Sequence, residues 1–381
     1  MIPRFKPFLD YKDIISLFKY KKGTVEYFEN LFKTKFDAID AIAFPYGRSA
    51  QWAFFKALNI KNSEIIMPAY TCSVVAHAIT LSGNKPKFID INLSDFNMNL
   101  YKLEEAINEN TSAIIATHTF GYPQNIDWIK DIINKSEKKY GKKIWFINDC
   151  CHSFGAKWNK QMVGSTGDVA VYAFNISKIL TSIFGGILTF QDSELASRVR
   201  SYRDRYYKHP NWEKYIIRRL YLITTYFLFN PKLYKLVWAL QHNTPILNPL
   251  TKSYHLDNKI HFPPDYLDFM MDFEASIGIN QLNKYDSIIQ KRISKAKFYN
   301  KALSKRKEWI LPPIIDGATY SHYSVRVPNK KIILQEYAKK GIELGELIQY
   351  SIPELTSYKH IDSNCPNALQ ASQTTINFPL L

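Results

Sequence analysis

The chain has 381 residues, 46% of them hydrophobic, enough to bury a large core and to make two domains. It shows no internal repeat or low-complexity tract, and its first ten residues lack the apolar run and small-residue cleavage site of a signal peptide. Net charge is +16 from 50 Lys and Arg against 34 Asp and Glu; that suits a nucleotide-linked substrate, an anionic membrane surface or nucleic acid, or mere lysine-rich usage, and selects none of them.

In chain order, the first signal is Gly47-Arg48-Ser49-Ala50, ahead of a helix expected over Ser49–Leu58. Orphan N–H groups and the positive end of a helix dipole there would receive a phosphate. Ser49 is equally a fair N-cap. From Glu64 to Asp192, β-rich runs alternate with helical patterns. The runs are Glu64–Ala69, Pro86–Ile91, Ser112–Thr119, Lys143–Asp149, Asp168–Phe174 and Gly186–Phe190. Helices are expected at Cys72–Leu81, Tyr101–Asn108 and Ile126–Tyr140. Runs apolar on both faces, joined by helices, predict a mostly parallel α/β sheet covered on both sides. Ligands then sit outside the carboxyl ends of the strands, where Tyr70, His118, Asp149 and Asn175 stand.

Residues 198–261 read differently, being basic and aromatic. The uncharged stretch Leu220–Phe229 is broken by Asn230-Pro231-Lys232 and resumes over Leu233–Leu240. Neither stretch approaches the ~20 apolar residues that a membrane-spanning helix requires. Two readings stand: a helical pair packed on the core or a partner subunit, or a hairpin lying in an anionic membrane interface. Beyond it, Ile289–Leu303 reads as a long helix and Ser321–Val327 as a strand. Lys339-Lys340-Gly341 closes another helix with a C′ glycine.

Chemistry concentrates at Asp149, at the end of one apolar strand, and Lys178, which follows 29 residues later after the next. A lysine that forms a Schiff base, and an acid that pairs with a pyridinium nitrogen, are two parts of a pyridoxal phosphate (PLP) site. The four cysteines, Cys72, Cys150, Cys151 and Cys365, make no CxxC pair and no metal-ligand spacing. A reduced, cytoplasmic protein without a metal site is expected. No nucleic-acid recognition motif is visible.

Several stretches in one order resemble the DegT/DnrJ/StrS-type sugar aminotransferases, a branch of the PLP fold type I enzymes. They are Tyr46-Gly47-Arg48-Ser49-Ala50, Met67-Pro68-Ala69-Tyr70-Thr71, Thr117-His118-Thr119-Phe120-Gly121, Asn148-Asp149-Cys150-Cys151-His152, Gly164-Ser165-Thr166-Gly167-Asp168, and Ser177-Lys178 with Gly185-Gly186. The resemblance resumes more faintly from about Asp265, through Asp272–Leu282 to the late Thr375–Pro379. It implies a seven-stranded-type sheet sandwiched by helices over residues 1–258, with 198–261 as an insertion, and a smaller α+β domain over 259–381. It implies PLP as cofactor, with Lys178 attaching it and shuttling protons, Asp149 on the pyridine nitrogen and His152 on the phenolic oxygen. Gly47, Arg48 and Ser49 would serve the phosphate, Tyr70 and Cys72 the ring, and Asn175 and Ser177 the lysine loop and phosphate. Three departures stand out: Ala173 where the family has a phosphate-binding serine, Cys72 where it has a stacking aromatic, and Leu267-Asp268-Phe269 where it has Asn-Tyr-Arg.

The resemblance also implies a homodimer taking a nucleotide-linked keto sugar and an amino-acid donor, for surface polysaccharide or lipopolysaccharide synthesis. Dehydratases of the same family carry histidine at the lysine position, so Lys178 favours transamination. A lyase on the same fold, or a non-catalytic regulatory relative, are the rival readings.

Overall fold

The computed structural model describes residues 1–230, 233–235, 238–239 and 259–380. Seven strands form the central sheet: β1 (Asp40–Phe44), β2 (Glu64–Pro68), β3 (Lys85–Ile89), β4 (Thr111–Thr117), β5 (Trp145–Asp149), β8 (Val169–Ala173) and β9 (Gly186–Phe190). A short hairpin, β6 (Lys157–Trp158) and β7 (Gln161–Met162), lies outside it. The spatial order is β1-β9-β8-β5-β4-β2-β3. Every pair from β8 to β3 is parallel, whereas β9 runs antiparallel to both β8 and β1.

Alternation within the strands feeds two separate cores. Ile42, Ile65, Met67, Ile115, Ile147, Val171 and Leu188 face one layer. Their neighbours Ala43, Ile66, Ile114, Ala116, Phe146, Tyr172 and Ile187 face the other. A strand buried on both faces has no polar register, which is why these segments read as continuous apolar runs. Helices Gly47–Ala57 and Ser73–Leu81 contribute to the first layer, and Thr24–Lys35 and Ile126–Tyr140 to the second.

A single helix of 32 residues, Asp272–Leu303, replaces the two expected helical stretches. Its polar interruption is occupied: Asp286 pairs with Lys35 at 2.8 Å, and the Tyr285 hydroxyl donates to the Phe154 carbonyl at 2.9 Å. Strands β10 (Tyr323–Arg326) and β11 (Thr375–Phe378) pair antiparallel into a second, two-stranded sheet. Helix Trp212–Leu228 accounts for the first apolar stretch of 198–261 and buries Lys214, Arg218, Leu222 and Thr225. Lys232, residues 236, 237 and 240 of the second apolar stretch, and the 258/259 boundary fall outside the described residues.

Candidate active site

The carboxyl ends of β4, β5 and β8 converge on Asp149, the last residue of β5 and 4% exposed. Its carboxylate accepts the Thr117 hydroxyl from β4 at 3.1 Å and the Cys151 N–H at 3.1 Å. Four lone-pair sites are available on a carboxylate, so two partners leave room for a further donor. His152, three residues on, is buried, and its Nδ1 has no protein partner. Its ring stacks parallel on Phe120 (6.1 Å between centroids) and lies 5.7 Å from the ring of His322. Burial, and then the nearby Lys178 ammonium, hold His152 well below the usual histidine range. His322 is depressed in the same direction by burial, the Arg292 guanidinium and Lys178. Burial and then the Asp149 charge push the Cys151 thiol up, while Lys178 opposes them. The same Lys178 charge acts on all three groups, so Lys178 lies near His152, His322 and Cys151.

Lys178 sits in the loop between β8 and β9, half-buried. The Asn175 side chain accepts both the Ser177 hydroxyl, at 2.7 Å, and the Ser177 N–H, and the Lys178 N–H bonds to the Asn175 carbonyl at 3.0 Å. Asn175 and Ser177 therefore shape the lysine turn by binding each other. The non-glycine residue Ile183, at φ 77°, marks the return of this loop toward β9.

The cradle lies one strand further along. Helix Gly47–Ala57 begins two residues earlier than the sequence suggests, with Tyr46 as its N-cap and no side-chain cap. Ser49 is thus inside the first turn rather than capping it, and its fully buried hydroxyl oxygen has no partner. A Cβ on Gly47 would stand 2.9 Å from the Ala173 Cβ, so the helix start packs directly on the end of β8. Arg48 is half-buried, its guanidinium 5.7 Å from the centre of the Tyr46 ring.

Cys72 is the half-buried N-cap of helix Ser73–Leu81, with no cap bond from its side chain. Tyr70 meets the cluster through its ring, edge-on to Phe120 at 6.2 Å. It is fully buried, stacks on Phe96 at 5.9 Å and donates to the Ile348 carbonyl at 3.3 Å, because the chain turns it into the first core. His118 likewise serves the frame: it bonds Asn148 at 3.0 Å and accepts the Gln124 N–H at 3.1 Å, and burial pushes it down to about 4.

Three contributors had no sequence signal that reached this site. Phe120 sits at φ 55° in the turn after β4. His322 arrives from two hundred residues away through Tyr320, also at positive φ (48°). The two turns bond through Ser321 N–H to the Phe120 carbonyl (2.9 Å) and Thr319 N–H to the Gly121 carbonyl (3.0 Å). Arg292, buried in the long helix, donates to the Ser321 carbonyl at 2.7 Å and so holds the second turn.

The model of the DegT/DnrJ/EryC1/StrS aminotransferase family matches residues 16–236 and 264–381. The chain belongs to that family. An uncharacterised protein of Methanocaldococcus jannaschii is 26% identical over 75% of this chain and 64% of its own length. The spore coat polysaccharide biosynthesis protein SpsC of Bacillus subtilis is 24% identical over 94% of this chain and 85% of SpsC. A dTDP-3-amino-3,6-dideoxy-alpha-D-galactopyranose transaminase of Aneurinibacillus thermoaerophilus is 33% identical over 50% of this chain and 51% of that enzyme. With the last, as with several others, the match spans about half of the relative's length. The sugar aminotransferase CalS13 from Micromonospora echinospora superposes with a TM-score of 0.78 at 17% identity, covering 100% of this chain and 95% of CalS13. An E. coli GDP-4-keto-6-deoxy-D-mannose-3-dehydratase solved with bound hydrated PLP gives 0.77 at 20%, covering 100% and 95%.

The family match runs through residue 236, so the helices Ser193–Tyr206 and Trp212–Leu228 lie within it, and residues 1–15 and 237–263 lie outside it. Membership makes PLP the cofactor of this site, and the residues present fit it. The chain offers an orphaned hydroxyl at a helix start, an orphaned ring nitrogen on His152, an acid with spare lone pairs, and a lysine whose charge acts on His152.

Proposed function

We propose that the chain is a PLP-dependent aminotransferase that moves an amino group from glutamate to a keto group of a nucleotide-linked deoxysugar, in cytoplasmic synthesis of a surface polysaccharide. The observation that carries it is the Lys178 charge acting on His152 and Cys151, which follow Asp149 in the chain, together with the buried, unpartnered Ser49 hydroxyl at a helix start. Relatives named as acting on dTDP- and GDP-linked sugars support the substrate class. SpsC supports the pathway, and a dehydratase solved with a trapped PLP–glutamate adduct supports the donor.

When bound, the cofactor supplies an electron sink for a carbanion. Lys178 Nζ would hold the cofactor and serve as the proton carrier at the reacting carbon. Asp149, oriented by Thr117 and Cys151, keeps the ring nitrogen protonated. His152, held neutral by burial, bonds the phenolic oxygen through one ring nitrogen. Gly47, Arg48 and Ser49 take the phosphate. The enzyme works as a homodimer.

The test is the visible spectrum of the purified protein before and after glutamate. A lysine-bound absorbance that glutamate converts to the amine form, and that a keto sugar restores, is the expected result. Conversion without restoration points to a lyase, and no absorbance to a non-catalytic relative. Borohydride reduction followed by peptide mapping should put the pyridoxyl group on Lys178; any other lysine refutes the assignment.

A further inference from the structure

Tyr46 stands immediately before the phosphate cradle, and its side chain points away from it into a buried ionic network. Its hydroxyl lies 2.8 and 2.9 Å from the two carboxylate oxygens of Asp265 and accepts an N–H of Arg218. The same Arg218 nitrogen bonds Asp265 at 2.9 Å, and the other terminal nitrogen faces Glu274 at 3.5 Å. Lys214 closes the network onto Asp265 at 2.9 Å and Asp268 at 3.0 Å. The side chains of Arg218, Lys214 and Glu274 are each at most 9% exposed. Charges so buried hold fixed geometry, because moving one strands its partner.

Two mechanical links run from this network into the site. The Tyr46 backbone abuts β9: a Cβ on Gly186 would stand 2.5 Å from the Tyr46 carbonyl carbon and 2.4 Å from the Gly47 nitrogen. The Arg218 guanidinium lies 3.7 Å from the centre of the Phe184 ring, at the end of the lysine loop, and Phe184 meets Tyr46 edge-on at 5.9 Å. Tyr46 lends no side-chain cap to its helix. Its side chain is spent on fixing where the helix begins.

We propose that Tyr46, anchored by Asp265 and Arg218, is a positioning residue that aims the first-turn N–H groups of helix Gly47–Ala57 and the Ser49 hydroxyl at the cofactor phosphate. Ala173, whose Cβ faces the start of this helix, offers no side-chain hydroxyl there, so the phosphate depends more on that turn. The inference rests on the cradle reading of Gly47–Ser49 given above.

The test compares the binding of PLP and of pyridoxal, which lacks the phosphate, by absorbance titration of wild-type, Tyr46→Phe and Arg218→Lys protein, with melting curves alongside. In both variants PLP affinity should fall about tenfold while pyridoxal affinity changes less than about twofold, and the double variant should lose little more than either single one. Equal losses for both ligands mean a general structural role and overturn the proposal, as does unchanged PLP affinity. If the wild type binds PLP no better than pyridoxal, the cradle reading itself is wrong and the proposal falls with it. Should Arg218→Lys not fold, Tyr46→Phe, which removes one oxygen, carries the test alone.

Discussion

Asp149 is oriented by a hydroxyl from the neighbouring strand and by an N–H two residues on. Asp149→Asn keeps the shape and removes the charge. Cofactor should still bind, while turnover falls by orders of magnitude, because a pyridine without its proton is a poor electron sink. A near-normal steady-state rate would remove Asp149 from the mechanism. Three histidines held below their ordinary range make a second prediction. His118, His152 and His322 are all held below the ordinary value of 6.5, His118 down to about 4. In His118 a neutral tautomer is fixed by geometry: Nδ1 accepts from Gln124, so Nε2 donates to Asn148. Unfolded, each takes a proton as the pH drops below about 6.5; folded, it resists until much lower pH. Stability present above that value should therefore be lost on acidification, by up to about 1.4 kcal/mol per pH unit per histidine. A melting temperature flat between about pH 7.5 and pH 5 would contradict this. Lys178, Asp149 and His152 stood out in the sequence because each lies near the end of a strand that reads clearly. The direction of Tyr70 and the arrival of His322 were not legible for one reason: which way a residue turns after a strand, and which distant loop meets it, are tertiary facts.

At the level of elements, the tightest joint is between β9 and helix Gly47–Ala57. Gly186 faces backbone on that side, where a Cβ would come within 2.4 Å of the Gly47 nitrogen. Gly186→Ala must push the helix start off the sheet. It should cost about 1–3 kcal/mol in denaturant unfolding and weaken PLP binding with it. Gly345→Ala is the control, since its nearest neighbours would be at 3.5 Å and its backbone is not left-handed. Equal stability of the two variants would show that the joint has slack. The six strands from β2 to β9 were legible because two-sided burial leaves no other pattern. The direction of β9 was not. Twelve residues separate Ala173 from Gly186, and no periodicity says that this loop carries the lysine and returns antiparallel rather than crossing over. Nor was β1 legible, as its five residues precede any clear alternation with a helix.

For the whole molecule, the decisive surface is the outer stripe of helix Trp212–Leu228. Its inner face is fastened by Lys214, Arg218, Leu222 and Thr225. Ile217, Leu220 and Phe227 lie outward at 63%, 57% and 56% exposure, with Ile216 and Leu228 beside them. An apolar stripe at helical spacing calls for a cover, because soluble chains seldom leave such a patch in water. Among the described residues no helix is long and apolar enough to cross a membrane; a partner subunit and a lipid surface are the two candidate covers. The fastening favours the subunit. A helix pinned by buried ion pairs presents a rigid face, suited to another rigid face, whereas an interfacial hairpin needs freedom to roll its apolar side into lipid. Light scattering should therefore give a homodimer, and Leu220→Asp with Phe227→Asp should shift it toward monomer with lower activity. Wild-type protein should stay in the supernatant when spun with anionic liposomes at low salt. Co-sedimentation that the same two substitutions abolish, from a chain that is monomeric and active without lipid, would reverse the assignment and make the stripe a membrane contact.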